Sequence, residues 1–191
     1  MSMFLGPIHY WLYSKIGNQE ELTKYIAGYA RQEGWISEIN SYIKKLPPLE
    51  DVIDESNIHA WLQAQIADAE TRYAELITDI LKADSSRINK LCAAAFQFGK
   101  AHKIEAVNAA AAYNAFDEFF VNGMPCDHVN IVTEQSEGSV SWEMAQDIHA
   151  RYWNGSSKPY YAMRKSLMEG MLDGTGIVLQ MSDTSHYTVF K

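Results

Sequence analysis

The sequence predicts an α+β fold: an N-terminal helical bundle packed on a helix-strand-strand-helix-strand-strand module with a small antiparallel sheet. Three observations predict it. Apolar residues recur at helical spacing as far as residue 121. Beyond Gly123-Met124-Pro125 the period falls to two, the period of strands. Proline and glycine pairs separate the periodic runs. We divide the chain into residues 1–85, a helical part, and residues 86–191, an α+β ligand-binding module, the two forming one compact unit.

The first helix opens at Gly6-Pro7, because proline at the first helical position loses no useful donor. Ile8, Leu12 and Ile16 form its stripe, and Gly17-Asn18 is expected to end it. Asn18 then caps a second helix, with Glu21 at the capping-box position and Leu22, Ile26 and Tyr29 as its apolar side. A third helix is expected over Trp35 to Leu46, through Ile39 and Ile43, until Pro47-Pro48 stops it. Asn57 caps the next, over residues 58–83, with the stripe Ile58, Leu62, Ile66, Ala69, Tyr73, Leu76 and Ile80. Its other side, Asp68, Glu70, Arg72 and Glu75, reads as a solvated face.

Residues 86–121 are the most apolar and alanine-rich stretch. Ile88, Leu91, Cys92, Ala95, Phe98, His102, Ala106, Ala109, Tyr113, Phe116 and Phe120 share one stripe. As one helix it would be about 54 Å long at about 1.5 Å per residue, so a break is expected between Gly99 and Glu105. The small alanines admit two readings: a neighbouring helix at close range, or a cavity. Two hairpins follow, Val129–Glu134 with Val140–Met144, and Ile177–Met181 with His186–Phe190. Gly138 is expected to take positive φ in the first turn. Between them lie a short helix at Asp147–Trp153 and a longer one from Pro159 to Gly174.

Composition narrows the partners. The 191 residues carry 24 acidic and 16 basic side chains, a net charge of −8, and no basic run, which argues against nucleic acid and anionic membranes. No run reaches the roughly 18 apolar residues of a membrane span. The start, MSMFLGPIHYWLYSKIG, has no basic n-region or cleavage site and reads as a helix start rather than a signal peptide. Two cysteines, Cys92 and Cys126, read as reduced thiols of a cytoplasmic protein.

The element order of the second half resembles the small-molecule-binding superfamily of 4-vinyl reductase-type domains, haem nitric-oxide-binding domains and trafficking-complex subunits of similar fold. The local match is Tyr160-Tyr161-Ala162-Met163-Arg164-Lys165-Ser166-Leu167-Met168-Glu169-Gly170-Met171, a glycine-bearing helix before two terminal strands. The resemblance covers at most residues 100–191. It implies a small-molecule pocket. From the haem-binding members it implies a helix histidine, the place of His102, and a Tyr-x-Ser-x-Arg motif, from which Tyr160-x-Ala162-x-Arg164 departs at the serine. The C-terminal end is also similar to the L-2-aminothiazoline-4-carboxylate hydrolases, with His186-Tyr187 where that family has Cys-Asp-Phe.

The candidate residues follow. His102 and Glu105, three apart on one helix face, are candidate ligand-binding and metal-ligating groups, for a transition metal or, through His102, haem. Otherwise His102 closes one helix and Glu105 opens the next, as the helix dipole favours. Tyr113, Trp142, Tyr160, Arg164, His9 and His59 are further ligand-binding candidates. The aromatic ones serve equally as core residues with polar tips. Cys126 and His128, in Cys126-Asp127-His128, are candidates for a nucleophile and its base, as a hydrolase would need. No phosphate loop, nucleophile elbow, paired-cysteine site or His-Glu-x-x-His occurs. The leading expectation is binding of a small apolar or aromatic ligand between the 86–121 helices, the 159–172 helix and the sheet. A hydrolase, a metal- or haem-binding protein, and a helical module that buries its alanine face, including against a second copy as a homodimer, are the alternatives.

Overall fold

The computed structural model describes residues 5–191; the first four residues of the apolar N-terminal segment lie outside the described residues. Five α-helices and one four-stranded antiparallel sheet make up the α+β fold. Helix α1, Pro7–Gln32, and helix α2, Ile58–Ala83, form the N-terminal pair. Helix α3, Ile88–Ala101, and helix α4, Ala109–Phe119, come from the alanine-rich stretch. The hairpin β1, Asn130–Gln135, and β2, Ser139–Met144, precedes helix α5, Lys158–Met171. Strands β3, Val178–Met181, and β4, His186–Phe190, close the chain, in sheet order β1-β2-β4-β3.

Three local expectations are corrected. Helix α1 runs unbroken through Gly17-Asn18. A glycine inside a helix costs about 1 kcal/mol, and burial of Ile16, Leu22 and Ile26 on both sides outweighs it. Asn18 instead donates its side-chain amide to the carbonyl of Phe119 at the end of α4 (3.1 Å), so it satisfies another helix's terminus. Helix α1 ends only at Gly34, with φ 72°. There Trp35 N–H bonds the Ala30 carbonyl and Gly34 N–H that of Arg31, a Schellman closure.

The expected helix over Trp35–Leu46 is absent; the segment is turns and irregular chain. Its Ile39, Tyr42 and Ile43 still pack on the core, and Arg72 donates to the Tyr42 carbonyl (2.8 Å). The short helix near 147–153 is only a 3-10 turn, Ala150–Tyr152, and Gly138 is not among the glycines with positive φ.

Asn57 and Asn108 cap α2 and α4, each accepting a backbone N–H. The expected break after Gly99 falls at His102–Asn108, where the Ile104 N–H bonds the Met171 carbonyl at the end of α5 (3.0 Å). The alanine ambiguity resolves as close packing. A Cβ added at Gly99 would collide with the backbone of Leu167, and one at Gly170 with that of Phe96. Helices α3 and α5 therefore touch backbone to backbone, and Ala94, Ala95, Leu91 and Leu167 around them are buried.

The larger core takes residues from both sides of residue 85, joining Leu22, Ile26, Tyr73 and Ile77 to Phe98, Phe116, Trp142 and Tyr187. The inner sheet face carries Val140, Trp142, Met144, Leu179, Tyr187 and Val189, with Trp142 stacked on Tyr187. A smaller core holds Leu12, Ile16, Leu62 and Ile66 against Val121 and Met124. That second core anchors the 121–130 segment beside α1.

Candidate functional site

A cleft of about 220 Å³ opens where α1, α4 and the 122–130 segment meet. Trp11 and Lys15 come from α1, one turn apart. Tyr113 and Asp117 come from α4, again one turn apart. Asn122, Gly123, His128 and Asn130 complete the wall. Spacing of four puts each helical pair on one face. Gly123, at φ 75°, turns the chain between the smaller core and the cleft.

Lys15 is the unusual member. Its side chain is on the buried side of α1, three residues after Leu12 and next to Ile16, and only 3% of the residue is exposed. Among the described residues its ammonium has no hydrogen-bond or ion-pair partner within bonding distance. It lies over the Trp11 ring, 3.7 Å from Nζ to the centroid. The Trp11 indole is held in turn by its N–H donated to Glu118 (2.6 Å). Burial pushes the Lys15 ammonium from 10.5 down to about 8. The Asp117 and Glu118 carboxylates act in the opposite direction, and the Arg164 guanidinium adds to the lowering.

Two amides beside it are also unsatisfied. Both side-chain polar atoms of Asn122, and Oδ1 of Asn130, are buried without a protein partner among the described residues. Leaving such groups unpaired costs roughly 1–3 kcal/mol each, so they mark a place built to meet something polar. The cleft thus presents a largely desolvated amine and aromatic walls from Trp11 and Tyr113, with the enclosed amide atoms of Asn122 and Asn130 in its wall.

A separate buried polar chain links α2 to α5. Glu70 Oε1 meets His149 Nδ1 (3.1 Å), His149 Nε2 meets the Tyr160 hydroxyl (3.0 Å), and Arg164 donates to that hydroxyl (2.9 Å). All four residues are nearly inaccessible. Burial drives the Tyr160 phenol well above its ordinary range, so the phenol stays protonated. Its hydroxyl has one proton and two lone pairs, enough for both the His149 and the Arg164 bond. The Arg164 guanidinium also lies over the Phe120 ring, 4.3 Å from its centroid. Its fixed positive charge also acts on Lys15. Tyr161 donates to Asp147 (2.7 Å) and Ser157 donates to the same carboxylate (2.7 Å), which secures the loop before α5. Burial raises the Asp147 carboxyl, but these bonds outweigh it and hold the group below the usual carboxylate range.

The sequence candidates scatter. Tyr113 and His128 line the cleft. Tyr160 and Arg164 belong to the separate buried chain. Trp142 is core, edge-on to Tyr113. His9 caps its own helix by accepting from the Gly6 N–H (2.9 Å), and its ring lies 5.7 Å from that of His59. Cys126 is exposed on the 3-10 turn before His128, and His128 itself has φ 46°. His102 closes α3; its Nδ1 meets the Phe98 carbonyl (2.9 Å) and Nε2 lies 3.4 Å from Glu21. Glu105 is exposed in a separate groove of about 520 Å³ beside Gly174 and Lys191. Among the described residues no three His, Cys, Asp or Glu side chains converge as a metal site.

Lys15, Glu70, His149, Asn122 and Asn130 were not among the sequence candidates. Glu70 also corrects the solvated-face reading of α2: it sits between Ile66 and Tyr73 on the buried stripe. Arg72 of that face is mostly buried too, ion-paired with Glu20. Glu70, four residues after Ile66 and three before Tyr73, carries a signal for burial in its spacing; Lys15, three after Leu12 but next to Ile16, carries a weaker one.

A larger depression of about 460 Å³ lies between α1 and residues 43–46. Its Glu20 and Lys44 are already paired, with Arg72 and Asp68. No described helix is long and apolar enough to cross a membrane. No protein-family model, curated protein or solved structure matches the chain.

Proposed function

We propose that the protein binds a small planar molecule carrying a carboxylate or similar anionic group in the Lys15 cleft. The observation that carries this is the buried Lys15 ammonium with no partner among the described residues. A buried cation with no carboxylate at ion-pair distance is costly, since Asp117 and Glu118 offset its burial only in part, and an anionic ligand completes the compensation. The Asn130 side-chain amide on the cleft wall offers a hydrogen bond to such a group, and Trp11 and Tyr113 offer flat apolar walls. Arg164 adds positive potential. At about 220 Å³ the cleft lies below the usual range of drug-sized sites, which fits a ligand of one ring. The shared element order with the small-molecule-binding superfamily supports the same class of function. The site lies outside the α3–α5–sheet space, whose packing leaves no such room at the glycine crossing.

Benzoate is a suitable probe. Calorimetric titration at pH 7 should show saturable binding, weakened at least about tenfold in Lys15→Met and in the uncharged analogue benzamide. Absence of benzoate binding, or equal affinity in Lys15→Met, would contradict the proposal.

A further inference from the structure

We propose that Lys15 is a covalent site: its amine condenses with an aldehyde or ketone held in the cleft to form an imine. This inference rests on the reading of the cleft as a small-molecule site and names the ligand class as an aromatic carbonyl compound, preferably one with an anionic substituent. Three features of the geometry point to it. The amine is buried yet lines a cleft, so a ligand rather than bulk water meets it. It has no ion-pair partner among the described residues to hold it as an ammonium. Arg164 adds a smaller contribution to the lowering that burial causes, against the Asp117 and Glu118 carboxylates. Desolvation and a neighbouring cation are the two ways a lysine is made nucleophilic at neutral pH.

The step balances without any redox partner. The neutral amine's lone pair attacks the carbonyl carbon, the C–O π bond breaks, and the oxygen takes a proton to give a carbinolamine. The nitrogen then expels that oxygen as water after a second protonation, forming the C=N bond. The nitrogen loses two protons in all, and the departing water carries both. His128 and Asp117, on the cleft wall, and Tyr113 are the groups placed to pass them. Asp117 and Glu118 on α4 and Arg164 on α5 are the ionisable groups that act on the amine's charge, and His128 on the 122–130 segment lines the same cleft.

The test uses the intact protein with 4-formylbenzoate and sodium borohydride, which reduces an imine to a stable secondary amine. Each adduct adds the mass of the aldehyde less one oxygen. Peptide mapping at pH 7 should place the first adduct on Lys15, formed about tenfold faster than on exposed Lys24. Benzoate should slow labelling of Lys15 and leave Lys24 unaffected. Lys15→Arg, which has no nucleophilic amine, should lose the fast adduct. Labelling of Lys15 no faster than of Lys24 in wild-type protein overturns the covalent inference, whether or not the variant folds. If benzoate still binds in that case, the non-covalent reading stands. If benzoate fails to bind while Lys15 is labelled rapidly, the imine inference survives and the anion reading falls.

Discussion

The α3–α5 crossing and the α1–α4 cleft use small space in opposite ways. At the crossing, Gly99 and Gly170 remove side chains so that two backbones meet, and Leu91, Ala94, Ala95, Leu167 and Met171 around them are apolar and buried. At the cleft, an equally buried lysine and two unsatisfied asparagines are retained where apolar residues would be cheaper. The first arrangement maximises packing. The second gives up stability at one spot, the usual sign of a site kept for what it does.

Substitution at the crossing should have the largest effect. Gly170→Ala places a methyl against the Phe96 carbonyl, and backbone cannot move aside cheaply. We expect a loss of about 3 kcal/mol or more in denaturant unfolding, with benzoate affinity of the folded fraction unchanged. A loss below about 1 kcal/mol would mean the two helices can separate and the contrast is overstated.

The buried chain lies between these extremes. Glu70→Ala leaves His149 Nδ1 without its partner, in a place water does not reach. The expected cost is about 2–3 kcal/mol. Because Arg164 is tied to this chain through Tyr160, benzoate affinity should also fall severalfold. Retained affinity would show that Arg164 holds its position over Phe120 without the relay.

The cleft should respond in the opposite direction. Lys15→Met removes a charge that burial disfavours, so at pH 7 stability should rise by about 1–2 kcal/mol while benzoate binding is lost. The sign follows from the pKa. The folded value, about 8, lies below the ordinary 10.5, so folding expels a proton between them. The penalty is fully present below pH 8 and is relieved as pH approaches 10.5. The variant's advantage should therefore shrink between pH 7 and pH 10. A destabilised Lys15→Met at pH 7 would assign the lysine a structural role instead.

Much of this fold is legible in the sequence, because periodicity and caps report local physics. Asn57, the break after Gly99, the change of period at Gly123-Met124-Pro125 and both hairpins come from neighbours along the chain. The errors fall where distant contacts decide. Gly17-Asn18 reads as a stop, yet Asn18 serves the far end of α4. Ile39 and Ile43 have helical spacing, yet their segment is held by core packing and by Arg72. The candidate site is less legible still. His102 attracts notice as a histidine on an apolar stripe, but Phe98 and Glu21 occupy its ring nitrogens. Lys15 escapes notice because a lysine in a helix normally reaches water. Only the fold shows that α4 and the 122–130 segment cover it. Tyr113 and His128 were found by residue type, and folding brings them to the same cleft.

The most direct test is an NMR titration of the Lys15 side chain, selectively labelled, with and without benzoate. The account predicts a midpoint near pH 8 in the free protein and a clear upward move when benzoate occupies the cleft, since a bound carboxylate favours the ammonium. By linkage, benzoate affinity should then fall as pH rises past 8. A midpoint near the ordinary 10.5 that benzoate does not move would contradict it, because Lys15 would then be a solvated surface charge and the cleft no site at all.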